Sequence, residues 1–310
     1  MYLFSKLKKY LFHPKLIFNH FLALFLDSSF SVILTDKFFI KIQYQLTSGK
    51  RLNLTNPVYF SEKISWMKLY NRNPEYTKMA DKYEVRNYIE ENIGGEYLIP
   101  LLGIYNSFDE IDFRNLPNQF VIKCTHDSGS FVICRNKAEF DMQKAKERIT
   151  NKLKHNYFYH GREWVYKNIV PRIIIQKYME NESDAELKDY KIFCFNGEPK
   201  IIQVDFDKFT DYKQNYYSPD WEILPLELRH PSHREKIDKP GHLSLMLQLA
   251  SKLSKGFPFI RTDFFIINDE VFFGEFTFYP ENGFWEFKSL DNKPEWNEKI
   301  GSWIELPSKT

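Results

Sequence analysis

Glycine and cysteine are scarce in this chain, and it has no long uninterrupted apolar run. The 310 residues include 12 glycines and 3 cysteines, with a formal net charge of only +2. No Gly-x-Gly-x-x-Gly, Gly-x-Ser-x-Gly, His-Glu-x-x-His or Walker A sequence occurs, so the usual signatures of dinucleotide folds, serine hydrolases, zincins and P-loop enzymes are missing. Cys124, Cys134 and Cys194 all lie in strand-like apolar runs without CxxC spacing, and an odd count argues against a disulfide framework. Buried thiols in a reducing cytoplasm are expected instead. The balanced charge, with no basic block beyond Lys6-Leu7-Lys8-Lys9, gives no reason to expect nucleic acid as a partner.

The most apolar stretch, "LIFNHFLALFLDSSFSVIL" from Leu16, is broken by Asn19, His20 and Asp27. It falls short of the length a spanning helix needs. With Lys6, Lys8, Lys9 and Lys15 ahead of it, it imitates a signal peptide, yet it lacks a small-residue cleavage site. Two readings stay open: a helix packed on the body of the protein, or a basic amphipathic helix making a peripheral membrane contact at the inner face.

What the sequence does contain is globular. Hydrophobic residues make up 43% and charged residues 27%, enough for two or three domains with real cores. Residues 1–79 read as mostly helical. "FSEKISWMKLY" places Phe60, Ile64, Met67 and Leu69 at helical spacing, and Asp81 with Glu84 has the spacing of a capping box ahead of Val85, Tyr88, Ile89 and Ile93. From about residue 98 the pattern becomes α+β. A hairpin spans 120–134, a polar helix is expected near 137–154, and "RIIIQKYM" at 172–179 reads as a strand. "ENESDAE" at 180–186 is a polar break and a candidate hinge. Beyond it, two hairpins turn at Asn196-Gly197 and Asn268-Asp269, with an amphipathic helix at 241–256 between them. The expected organisation is a helical region over 1–79, a small α+β module over 80–179 and a larger antiparallel module over 180–310.

Three constellations could carry chemistry. Lys123 ends a strand and leads into a turn containing Ser128, Gly129 and Ser130, a point charge beside backbone donors that suits anionic oxygens. The competing reading is an ordinary polar hairpin loop. In the last hairpin, alternation puts Arg261 and Asp263 on one face and Glu275 and Thr277 on one face of the next strand. Carboxylates and a hydroxyl there suit Mg²⁺ carrying phosphate, while a structural Arg–acid bridge is the alternative. The third, "IIIQKYMEN", is by itself an edge strand entering a loop. Asp205 and Asp207 form an Asp-x-Asp pair of the kind that holds metal in nucleotide-sugar transferases, but so short a motif is frequent by chance. His230 and His233 lack a third ligand nearby.

In order, these features resemble the ATP-grasp superfamily. "NPVYFSEKISWMKLYNRNPEYTKMADKYEVRNYI", "YLIPLLGIY", "LPNQFVIKCTHDSGS" and "DYKIFCFNGEPKII" are similar in order and spacing to the TupA-like ATP-grasp proteins, which are associated with teichuronopeptide and other bacterial surface polysaccharides. The resemblance covers about residues 45–305. It implies an α+β ATP-grasp fold, with a lid module and a larger antiparallel-sheet module behind a helical N-terminal region. It also implies an ADP-forming carboxylate–amine ligase using ATP and Mg²⁺, with a sugar acid or an amino acid as the carboxylate.

Carried over residue by residue, the resemblance gives Lys123 a phosphate and places Ser128, Gly129 and Ser130 over it. Lys82 takes the place of the earlier family lysine. Gln176, Lys177 and Tyr178 meet adenine, Asp189 and Lys191 lie near ribose or phosphate, and Asp263 and Glu275 hold Mg²⁺. Thr277 stands where the family has the asparagine of Glu-x-Asn, and Arg261 stabilises an acyl phosphate. His126 and His160 are candidates for proton removal from the amine. The rival readings are a glycosyltransferase of the same pathway, a kinase on the same fold, and a nucleotide-binding member without turnover.

Overall fold

The computed structural model describes residues 21–26, 29–180, 188–206, 210–291 and 295–308. The basic segment with Lys6, Lys8, Lys9 and Lys15, most of the candidate hinge and Asp207 lie outside the described residues.

Ahead of the first sheet lie, among other helical segments, α1 (Asp36–Ser48), α2 (Phe60–Tyr70) and α3 (Glu75–Ala80). Thr35 caps α1 by accepting from the Phe38 N–H, and Gly49, at φ 75°, closes it in the left-handed region. Spacing predicts one apolar stripe on α2, but the helix is buried on nearly all sides. Trp66, Ser61, Ser65 and Lys68 are buried along with Phe60, Ile64 and Met67, because the large sheet and the loop after its last strand enclose it. Phe60 meets Phe259 and Phe287 edge-on, each 5.2 Å away.

Helix α4 (Val85–Asn92) begins four residues after Asp81. Asp81 Oδ1 does accept from the N–H groups of Tyr83 and Glu84, at 2.7 and 3.3 Å. The capping box does not close, however, because Glu84 turns instead to Arg172, which also grips Asp81 at 2.9 Å. That fork ties the start of α4 to the strand that follows Arg172.

The smaller sheet is antiparallel, in the order β1 (Leu101–Tyr105), β4 (Ile173–Lys177), β2 (Phe120–Cys124), β3 (Phe131–Cys134). Along β2, Phe120, Ile122 and Cys124 are buried and alternate with Val121 and Lys123, the period-two signature of a strand with one core face. α5 (Met142–Leu153) packs Ala145 and Ile149 on that face. The single helix predicted over 137–154 is two elements. Asn136 caps a short 3₁₀ turn at Lys137–Glu139, and Asp141 then caps α5 through the Lys144 N–H at 2.9 Å.

The larger sheet runs β11 (Glu270–Thr277), β10 (Phe259–Ile267), β5 (Asp189–Phe195), β6 (Glu198–Phe206), β7 (Lys213–Tyr217), β8 (Ile223–Leu224), all antiparallel. A two-stranded ribbon, β9 (Leu226–Glu227) with β12 (Lys288–Ser289), adjoins it. Both hairpin turns have two consecutive positive φ values: Asn196 50° and Gly197 85°, then Asn268 50° and Asp269 64°. Such geometry matches the twist of the flanking strands. α6 (Leu243–Leu253) buries Leu243, Met246, Leu249, Ala250 and Leu253 against the sheet, and α7 (Glu295–Ser302) packs on α2. Among the described residues no helix is long and apolar enough to cross a membrane.

Candidate active site between the two sheets

The two sheets face each other across a cavity of about 390 Å³. The small-sheet wall supplies Lys123 and Gln176, the turn Ser128–Gly129–Ser130, and Lys82 from the segment before α4. The large-sheet wall supplies Asp189 and Lys191 from β5, Gln203 from β6, Arg261 and Asp263 from β10, and Glu275 from β11. One part of the lining is apolar: Met79, Leu98, Phe265 and Phe273. Cationic groups and apolar side chains lining one cavity suit a ligand with both an anionic and an aromatic part.

The turn is fastened at its base and open at its tip. The Thr125 N–H donates to the Arg172 carbonyl at 2.9 Å, and the Lys82 N–H donates to the Thr125 carbonyl at 3.2 Å. Lys82 Nζ donates to the Asp127 carbonyl, and the Ser130 hydroxyl donates to the Asp127 carboxylate. Only Ser128 and Gly129 are exposed, with Gly129 at φ 81°, a conformation that glycine adopts without strain. Lys123 makes no ion pair among the described residues. Burial and then the nearby Lys82 pull its ammonium down to about 8, while Glu275 and Asp189 act in the opposite sense.

On the opposite wall the charges are paired. Arg261 forks onto Asp263 through Nε at 2.7 Å and Nη2 at 2.6 Å. Burial pushes the Asp263 carboxyl up, and Arg261 opposes that shift. Lys191 binds Asp205 and lies 3.6 Å from Asp189. Asp205 also accepts from Gln203 at 2.8 Å, Tyr212 at 2.8 Å and Gln214 at 3.2 Å. Four donors fill the acceptor capacity of one carboxylate, which leaves Asp205 unsuited to the metal role of an Asp-x-Asp pair.

Glu275 differs from both of its neighbours. It forms no ion pair among the described residues. Although burial raises its pKa, Lys82, Arg261, Lys191 and Lys123 together hold the carboxyl below its ordinary value. Among the described residues no group of three or more His, Cys, Asp or Glu side chains is assembled to hold a metal ion. The donors present are hard oxygens suited to Mg²⁺, with Glu275 open and Asp263 shared with Arg261.

Of the residues singled out in the sequence, Lys82, Lys123, Ser128, Gly129, Ser130, Gln176, Asp189, Lys191, Arg261, Asp263 and Glu275 line this one cavity. Lys177, Tyr178 and Thr277 lie outside it. Lys177 is exposed at the end of β4. Tyr178 lies under the Arg135 guanidinium, 6.0 Å from the ring centre, and accepts from Arg135 Nε at 3.2 Å. Thr277 stands opposite Arg261 in the β10–β11 ladder.

His126 is buried with Nε2 3.2 Å from the carbonyls of Lys152 and His155, and His160 is exposed beside Tyr157. Neither lines the cavity. Four polar or charged lining residues were not singled out in the sequence: Arg86, Tyr166, Gln203 and Glu281. Tyr166 and Glu281 come from irregular segments whose sequences carry no periodic signal. Gln203 was legible in principle, since it shares a strand face with Asp205.

A family model described as TupA-like ATPgrasp matches residues 62–302. No curated protein matches the chain. Among solved structures, the chain is similar to D-alanine–D-alanine ligase from Helicobacter pylori, at 16% identity, with 80% of this chain and 69% of that one covered and a TM-score of 0.42. It is similar to N5-carboxyaminoimidazole synthetase from Staphylococcus aureus at 12% identity, covering 64% and 44%, TM-score 0.38. The ATP complex of D-alanine–D-alanine ligase from Bacillus anthracis follows at 15% identity, covering 70% and 56%, TM-score 0.38.

Proposed function

The chain belongs to the TupA-like ATP-grasp family and is by that membership an ATP-grasp ligase; we propose that it joins a carboxylate to an amine with release of ADP and phosphate. The observation that carries this reading is the convergence of Lys82, Lys123, Lys191 and Arg261 from four separate segments on one cavity that is also lined by apolar side chains. In this reading the apolar side chains take the adenine beside Gln176, and Lys123, Lys82 and the turn at 128–130 take the phosphates. Asp189 and Lys191 lie toward the ribose and phosphate chain. Glu275 and Asp263 would hold Mg²⁺, which when bound supplies charge to the terminal phosphate.

The chemistry is a double displacement without a covalent enzyme intermediate. A carboxylate oxygen of the substrate attacks the terminal phosphorus and ADP leaves. The amine nitrogen, once its ammonium proton has passed to solvent, then attacks the acyl carbon; phosphate leaves carrying that carboxylate oxygen, and the second amine proton goes to the departing phosphate. Arg261 faces the same cavity as a fixed cation, where charge develops on phosphoryl and acyl oxygens. Its fork to Asp263 orients it, so little reorganisation is needed during the reaction. As the substrate we propose a sugar acid of a bacterial surface polysaccharide or its precursor, joined to an amino acid or another amine at the inner face of the membrane. Asp205, saturated by its neighbours, weighs against the glycosyltransferase reading.

The test is an incubation with ATP, Mg²⁺ and glucuronate, first with hydroxylamine and then with a panel of amino acids. A hydroxamate and ADP are expected, followed by an amide with the correct amine. A kinase acting on a sugar hydroxyl would release ADP without hydroxamate, and one acting on the carboxylate would give hydroxamate but no amide with any amine. AMP with pyrophosphate would mean an adenylate and would overturn the proposal.

A further inference from the structure

The loop after β11 is held in an unusual conformation. Glu281, Asn282 and Gly283 have consecutive φ values of 51°, 57° and 66°. A run of left-handed residues that includes a glutamate persists only where the surroundings over-determine it, and such outliers cluster at functional sites. Here the surroundings are elaborate. Lys68 of α2 is fully buried and donates to the Gly161 carbonyl at 2.7 Å and to the Asn282 carbonyl. Its ammonium sits 4.0 Å over the Phe284 ring. Side chains are excluded on both sides of the contact, since a Cβ at Gly283 would run into Ile64 and one at Gly161 into the Asn282 side chain. Burial pushes the Lys68 ammonium down and the Glu163 carboxyl up, and each partly restores the other.

This apparatus places one acid, Glu281, on the cavity wall. Its protein partner is Arg229 at 2.8 Å; the Arg229 side chain is 50% exposed and that of Glu281 22%, so solvent reaches the pair from the Arg229 side and screens it. Of the other cavity acids, Asp263 is forked onto Arg261, Asp189 lies close to Lys191, and Glu275, which forms no ion pair among the described residues, is the acid assigned above to Mg²⁺. Glu281 acts instead on Glu163, Tyr216 and His230.

We infer that Glu281 is the recognition site for the amine substrate, binding its ammonium group in place of Arg229, and that Lys68 is a positioning residue that holds Glu281 there through the Asn282 carbonyl. The inference rests on the ligase reading above. An amine reaches the site near neutral pH as a cation, so a carboxylate with an exchangeable partner selects it, while hydroxylamine, uncharged at that pH, needs no such contact.

The experiment measures kcat/KM with ATP, Mg²⁺ and glucuronate for hydroxylamine, glycine, L-glutamate and L-lysine. Glu281→Gln should lower kcat/KM for the ammonium-bearing amines about 10- to 100-fold relative to hydroxylamine, through KM. Lys68→Met should lose the same preference. Arg229→Gln, which removes the competitor, should lower the amine KM about two- to fivefold, an effect that a structural role for the pair cannot produce. An unchanged preference in Glu281→Gln, or a raised amine KM in Arg229→Gln, overturns the assignment while leaving hydroxamate formation and the ligase reading intact. No hydroxamate and no amide in the unmutated protein overturns both.

Discussion

On the large-sheet wall of the cavity each central cation has its own carboxylate: Arg261 is forked onto Asp263, and Lys191 is bound to Asp205. On the small-sheet wall, Lys123 and Lys82 have no carboxylate within ion-pair distance among the described residues. Lys123 is half-buried, and desolvation together with the nearby Lys82 lowers its ammonium to about 8. The contrast separates two uses of charge. Paired charges keep the large-sheet wall in shape without a ligand, whereas the small-sheet wall carries positive charge with no carboxylate bound to it among the described residues.

The sharpest way to break this comparison is to remove one charge from each wall. Asp263→Asn leaves a buried guanidinium without its acid, which should cost about 3–5 kcal/mol of stability in urea denaturation. Lys123→Met removes an unpaired, half-buried ammonium, so its denaturation midpoint should be unchanged or raised. Equal losses of stability would show that the walls do not differ.

Glu275 tests the boundary between the two uses. It is in the field of four cations but bonded to none, so Glu275→Gln should fold with near-normal stability. Mg²⁺-dependent turnover should nevertheless fall about 100- to 1,000-fold, the scale of losing one electrostatic stabiliser. Full turnover in the folded variant would remove Glu275 from the metal role.

A smaller effect is expected for nucleotide affinity. Lys123→Ala should weaken ATP binding by about 1.5–3 kcal/mol, the worth of one charge-assisted hydrogen bond, as read by calorimetry. The same lysine gives a pH signature. Its pKa lies below the ordinary lysine value, so the free protein loses that proton as pH rises through about 8. ATP needs the protonated form, so its dissociation constant should climb above pH 8 by at most about tenfold per unit. Lys123→Ala should flatten that climb.

The sequence made this contrast only partly legible. Turn chemistry marked both hairpins, because Asn-Gly and Asn-Asp accept the positive φ that those turns require. Strand alternation put Arg261 and Asp263 on one face, as the fork between them bears out. Alternation failed across β10–β11, where the register shifts between Thr262 and Phe264. Such a bulge re-aims side chains, and Glu275 reaches the cavity while Thr277 does not. Lys177 and Tyr178 follow the residue of β4 that turns inward, and at the strand end they point elsewhere. Lys68 drew no notice in the sequence, where only Phe60, Ile64, Met67 and Leu69 stand out on that helix. That its ammonium is buried on two carbonyls depends on segments about 90 and 210 residues away in sequence, which no local pattern encodes.

The most direct test of the central claim follows one oxygen atom. Glucuronate labelled with ¹⁸O in its carboxylate, turned over with ATP, Mg²⁺ and the amine that gives product, should yield ADP and inorganic phosphate carrying one ¹⁸O. Label recovered in AMP, or phosphate free of label while amide accumulates, would contradict the account.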